Sequence, residues 1–239
     1  MTAFKMKKVA ATVMFAAFFV SSHSMAATET TLKVTGSIAP AACTPTLSGN
    51  GEVAYDSISS SVINSAPAGN SLVQLGAKDV TLDIKCDALS TVGFNIADNR
   101  AATAVDLSST AFLVKGSVNE KDMTFNGYQF GLGTASNNAK IGAYSILMLE
   151  ENLTADGVAA KILYSDNNGQ TWLDAPVDSV MKNDQSRLHT IWDNVTKAPK
   201  LAKDISIPLR ITTGVQTKSV LGGDAITLDG NATVSLVYL

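Results

Sequence analysis

The stretch from Asn231 to Leu239 reads N-A-T-V-S-L-V-Y-L and alternates strictly. Val234, Leu236 and Tyr238 fall on one face of a strand, and Thr233, Ser235 and Val237 fall on the other. The run stops at the carboxylate of Leu239. Buried backbone N–H and C=O groups must find partners, and a sheet edge left open attracts another chain. The fold therefore has to answer one question first: what lies beside this strand.

The same period recurs upstream. Val80, Leu82, Ile84 and Cys86 share a face over 80–86. Ile205, Ile207, Leu209 and Ile211 share a face over 205–211, and Pro208 needs an edge or a bulge there because it has no N–H to donate. Leu32, Val34 and Ile38 alternate with Lys33, Thr35 and Ser37, which predicts a first strand, and Pro40 disfavours its continuation. Segments 92–96, 112–118, 128–132 and 144–149 read as further strands. Gly131, Gly133 and Gly142 mark bulges or close backbone approaches. Asn168-Gly169 is a strong turn signal and predicts a hairpin. Residues 44–77 are rich in Ser, Gly, Asn and Ala, with short apolar pieces at Val53-Ala54-Tyr55 and Leu72-Val73. Residues 178–194 are polar with scattered Val, Leu and Trp, and predict at most one short helix. Many short alternating strands with turn signals and little helix predict an all-β sandwich.

The first residues do not belong to that fold. Lys5, Lys7 and Lys8 precede an uncharged apolar run over 9–20, and Ser24-Met25-Ala26 offers small residues for a peptidase. This pattern predicts a secretory signal peptide over 1–26, with cleavage after Ala26 or Ala27. The run is too short to span a bilayer comfortably. Cleavage after Ala26 leaves 213 of the 239 residues, enough for one domain, 27–239, with an enlarged middle. Removing the three lysines from 18 basic residues leaves 15 against 21 acidic ones, a net charge near −6. No basic patch stands out, which argues against nucleic acid as a partner. The two cysteines, Cys43 and Cys86, most simply make one disulfide in an exported chain, contributing about 4 kcal/mol in the entropic picture. One histidine, His189, remains after cleavage, far from the cysteines in sequence, which argues against zinc. No metal site and no cofactor are expected.

Several of these pieces, taken in order, resemble the chaperone–usher pilins, the fimbrial subunit family. The run V-T-G-S-I-A-P-A-A-C over 34–43 resembles the pilin first strand ending in a cysteine. Cys86 stands on the second strand, where the family's disulfide partner lies. Segment 205–211 with Pro208 resembles the penultimate strand, and 232–239 resembles the closing strand with its penultimate tyrosine. The resemblance covers both ends of the exported chain and leaves roughly 99–204 unmatched. The whole is most similar to the poorly characterised enterobacterial fimbrial-like secreted proteins, including the branch named for the glutamate synthase operon.

The resemblance implies an immunoglobulin-like sandwich that lacks one strand. The gap is a hydrophobic groove between the first and last strands, filled by a periplasmic chaperone and later by a neighbouring subunit's N-terminal extension. Leu32, Val34 and Ile38 would face Val234, Leu236 and Tyr238 across it, and the Leu239 carboxylate would meet basic chaperone residues. The implied partners are a chaperone, an usher and other pilin subunits. The implied place is the periplasm or an extracellular fimbrium, and the implied role is structural or adhesive, not enzymatic. Two features depart from the family. Only Ala27 to Thr31 precede Leu32, too few residues to fill a groove, unless Leu32 and Val34 are themselves the donor and the first strand starts later. The middle is also long, and one of its strands is a candidate to close the sandwich internally. The alternative reading is a self-complete periplasmic sandwich that binds a ligand and does not polymerise.

Other signals read as structure. Ser165 to Trp172 resembles the Asp-box hairpin of sialidase-like propellers, with Asn167 in the aspartate position. It occurs once, so the reading is a hairpin whose Asn bonds its own backbone and whose Trp172 packs behind the turn. Glu150 and Glu151, if on a strand, point to opposite faces and do not converge. His189 is expected at the surface, with no nucleophile elbow near it.

Overall fold

The computed structural model describes residues 29–38, 41–68, 71–107, 112–115, 120–123, 126–177, 179–193 and 196–239. The expected leader lies outside them, as does the end of the strand expected over 112–118. The chain forms two bodies, residues up to 39 and residues 40–239.

In the second body the strands are β1 (Cys43–Leu47), β2 (Val73–Ser90), β3 (Val92–Asp98), β4 (Phe112–Lys115), β5 (Glu120–Met123), β6 (Phe130–Gly131), β7 (Gly142–Met148) and β8 (Thr154–Ala155). They continue with β9 (Val158–Ala159), β10 (Ile162–Ser165), β11 (Leu173–Asp174), β12 (Leu188–Asp193), β13 (Ala198–Pro199), β14 (Ala202–Val215) and β15 (Ala232–Tyr238). One helical turn, α1 (Lys218–Leu221), precedes the last strand. The first sheet runs β1-β2-β14-β7-β6, with β8 on β14 and β9 on β8. The second runs β11-β10-β12-β3-β15, with β13 on β12, and β4-β5 form a separate pair. This is an all-β sandwich.

Alternation builds the main core. Leu82, Ile84 and Cys86 of β2 and Ile205, Ile207, Leu209 and Ile211 of β14 are buried from the first sheet, and Phe94 and Ile96 of β3 from the second. β2 changes phase partway. Thr213 pairs with Gly76 but Gly214 pairs with Gln74, so Leu75 is an extra residue in a bulge. Gly76 takes φ 94°, open to glycine at little cost. The bulge turns Val73 and Leu75 to the apolar side. Pro208 sits where expected for a residue without a donor. Its carbonyl accepts the Leu149 N–H at 2.9 Å, so its nitrogen faces the same way. On that side β7 ends opposite Leu209 and β8 begins opposite Ser206.

β7 is buried along all seven residues. Tyr144, Ile146 and Met148 join the main core, while Ala143 and Leu147 pack with Leu72, Leu107 and Leu149 in a second, smaller core. The sheet is therefore covered on both faces there.

Cys43 lies directly opposite Cys86 on β1 and β2, and the two form the expected disulfide, with Cα atoms 3.9 Å apart. The expected hairpin is present between β10 and β11. Asn167 holds its turn, accepting from the Thr171 N–H at 3.0 Å and donating to the Thr171 hydroxyl at 2.9 Å.

Four expectations need correction. No strand forms over 29–38, where Leu32 is 91% and Val34 88% exposed. Alternation makes a strand only when an edge accepts it, and Gly36 and Pro40 weaken this segment further. Residues 188–193 are strand β12, not helix. Leu188, His189, Thr190 and Ile191 are all buried, so no alternation showed in the sequence. His189 is accordingly not at the surface. It stacks on Phe94 of β3 with centroids 5.6 Å apart, and burial pushes its pKa down to about 3. Glu150 and Glu151 lie on a 3-10 turn, not on a strand.

Candidate functional site: an unpaired edge above an apolar groove

β15 pairs with β3 along its full length, from Ala232 opposite Asp98 to Tyr238 opposite Val92. Its other edge pairs with no strand among the described residues. The described strands of the long middle do not pair with it: β10, β11 and β13 join the second sheet through β12, on the far edge of β3, β6 to β9 join the first sheet, and β4-β5 pair with each other. Along this seven-residue strand, the outward-pointing N–H and C=O groups of alternate residues meet no neighbouring strand among the described residues.

Beneath this edge the two sheets diverge around a groove of about 920 Å³. Its floor is the inner face of the first sheet, with Val80, Leu209, Ile211 and Ile146. One wall is the approach to β15, with Ile226, Leu228 and Val234. The facing wall is the irregular segment after β1, with Val53, Tyr55 and Ile58. At its inner side Tyr144 stacks on Phe130, 5.1 Å between centroids. Burial pushes the Tyr144 hydroxyl pKa well up, and the Asp98 carboxylate adds to the shift, so this lining stays uncharged. Burial likewise raises the Tyr55 hydroxyl, partly offset by the Thr213 hydroxyl beside it. A concave surface with an aliphatic floor and neutral hydroxyls suits apolar side chains, while Glu52, Asp56 and Asp224 put acidic groups on its lining.

One end of the cleft between β1 and β15 is shut. The Cys43 N–H donates to the Tyr238 hydroxyl at 2.8 Å, which ties the start of β1 to the end of β15. Tyr238 remains 49% exposed. The disulfide lies at the same end, through Cys43.

The predicted site residues divide accordingly. Val234 lines the groove, and Leu236 is half-buried against the core beside it. Tyr238 closes the end and does not line the cavity. Leu239 donates its N–H to the Thr91 carbonyl at 3.0 Å and is otherwise half exposed. Leu32, Val34 and Ile38 lie in the first body, in a stretch without strand structure. The wall facing β15 is built by Leu47, Val53 and Tyr55, of which the sequence marked Val53 and Tyr55 only as part of a short apolar piece in a polar stretch.

Comparison with known proteins places the chain. Residues 32–145 match the family described as "Protein of unknown function (DUF1120)". "Protein GltF" of Escherichia coli (strain K12) is 32% identical over 261 aligned positions, covering 98% of this chain and 98% of its own length. "Uncharacterized protein YhcF" of the same organism is 27% identical over 242 positions, covering 93% and 95%. An identity of this size across the whole length shows common descent: the chain belongs to the family of Protein GltF.

Proposed function

We propose that this chain is a fimbrial or fimbrial-like subunit, exported to the periplasm and completed there by a donor strand. The observation that carries the reading is the free edge of β15 above an apolar groove. A strand added there would bond to β15 through its backbone and set alternate side chains into the groove. The chain itself carries a segment of suitable pattern. Leu32, Val34 and Ile38 alternate in an extended, exposed stretch ahead of β1. This supports the view that 30–38 is a donor for another copy and not a first strand. The first donor would come from a periplasmic chaperone, and delivery would run through an usher to a filament. The subunit does no chemistry in this reading.

The test is periplasmic expression of the exported chain without a chaperone. The expected result is degradation or aggregation, with rescue by a cognate chaperone or by a synthetic peptide of residues 30–38. A second reading, a self-complete periplasmic binding protein, is favoured by the wall at Val53 and Tyr55 and by the Tyr238 closure. It predicts a soluble monomer that unfolds cooperatively and whose melting temperature the peptide does not change.

A further inference from the structure

The wall formed after β1 is irregular and loosely held. From Val53 to Val62 no residue belongs to a helix or paired strand, apart from a turn beginning at Ser60. Among the described residues, no backbone group in 53–62 hydrogen-bonds outside the segment. Its attachments are side chains. The Tyr55 hydroxyl donates to the Gly76 carbonyl at 3.3 Å, and Lys78 lies over the Tyr55 ring at 5.3 Å. Val53 packs on the core, while Ile58 and Val62 are exposed. A firm anchor follows at Ile63, which is buried and accepts the Lys218 N–H at 2.8 Å.

The segment also runs beside an edge it does not use. β1 pairs with β2 only as far as Leu47 opposite Leu82, and among the described residues no strand pairs with that edge of β2 from Val73 to Thr81, where the Thr81 N–H donates instead to the Ser48 hydroxyl at 2.8 Å. At its start stand three consecutive left-handed residues, Gly49 (φ 60°), Asn50 (φ 56°) and Gly51 (φ 75°). A Cβ on Gly49 would meet nothing, so glycine there serves backbone conformation and not packing. A stretch held by a few side chains, between a glycine corner and a buried anchor, belongs to the low-stability end of a fold.

We propose that Val53–Val62 is a displaceable strap. It lies against the groove in the free subunit, through Val53, Tyr55 and Ile58, and swings out between the Gly49–Gly51 corner and Ile63 when a strand pairs with β15. The strap and the incoming strand compete for the same apolar surface. The strap therefore limits how readily a weak or mismatched strand is accepted. This rests on the strand-accepting reading above.

The test uses the full exported chain and a synthetic peptide of residues 30–38. Competition predicts that Tyr55→Ala binds the peptide about tenfold more tightly than the parent. A static wall predicts the reverse, because the donor loses a contact. Ile58→Ala, at a half-exposed position, gives the same sign if Tyr55→Ala fails to fold. A second readout is independent of affinity. In Val53→Cys, the added thiol should react about tenfold faster once peptide is bound. Weaker or unchanged binding in both alanine variants, or a thiol no faster with peptide bound, overturns the strap. If the peptide fails to protect the amides of β15 from hydrogen exchange in the parent chain, the strand-accepting reading falls, and the strap with it.

Discussion

The second sheet has two edges, and the fold treats them differently. At one edge β11 is only two residues long, Leu173–Asp174, and leads straight out of the Asn167 turn, where Trp172 packs against Gly169. At the other, β15 runs seven residues with its outer backbone unpaired and apolar side chains beneath. Shortening and covering an edge is the ordinary protection against unwanted pairing. The contrast teaches that the fold keeps one edge of this sheet short and leaves the other long. The long edge is the one that the proposed strand pairing would use.

The comparison breaks most completely if the groove loses its frame. Cys43→Ser together with Cys86→Ser should cost about 4 kcal/mol and sharply reduce periplasmic yield. Thermal unfolding and yield check this. Unchanged stability would mean that β1 is held without the bridge.

The two edges are tested against each other by a charge on each. Val234→Asp places a carboxylate on the groove wall and should weaken binding of a 30–38 peptide about a hundredfold, or about 2.7 kcal/mol. Leu173→Asp on the short, exposed edge should leave that binding within about threefold and stability within about 0.5 kcal/mol. Equal effects from the two substitutions would erase the distinction between the edges.

A pH experiment separates the strength of the sheet from the openness of its edge. His189 is neutral in the folded chain, with a pKa of about 3, and near 6.5 when unfolded. A depressed histidine pKa favours the unfolded state once the unfolded form takes up a proton. Its contribution is thus intact above pH 6.5 and is lost as pH falls from 6.5 toward 3. The expected loss is about 1.4 kcal/mol per pH unit, or about 2 kcal/mol at pH 5. His189→Phe should flatten this slope in denaturant titrations. A slope unchanged by the substitution would assign acid sensitivity elsewhere. The smallest effect belongs to the short edge. Asn167→Ala should cost about 1 kcal/mol through the lost turn bonds and leave peptide binding unchanged.

What could be read in advance follows the physics of each segment. β2, β14 and β15 meet solvent or a groove on one side, so their side chains alternate and the sequence displays them. The disulfide was legible because Cys86 shares a face with Leu82 and Ile84. β12 was not, because Leu188 to Ile191 are buried on both faces and carry no period. Segment 29–38 misled in the opposite way: it has the period and lacks the partner. The strap wall had neither signal. A side chain such as Tyr55 can line a groove from an irregular backbone, and only the assembled fold brings it there.

β7 carries one more consequence. Clamped between the main core and the smaller one at Leu72, Leu107 and Leu147, it makes the groove floor a stiff plate. Compliance is then left to the two sides, of which one is a regular strand and the other is not. In the strand-accepting reading the fold is mechanically a vice with a fixed bed, a rigid jaw at β15 and a sprung jaw opposite. Load on a strand gripped there falls on the bed and the rigid jaw, while the sprung jaw sets only how easily the strand goes in.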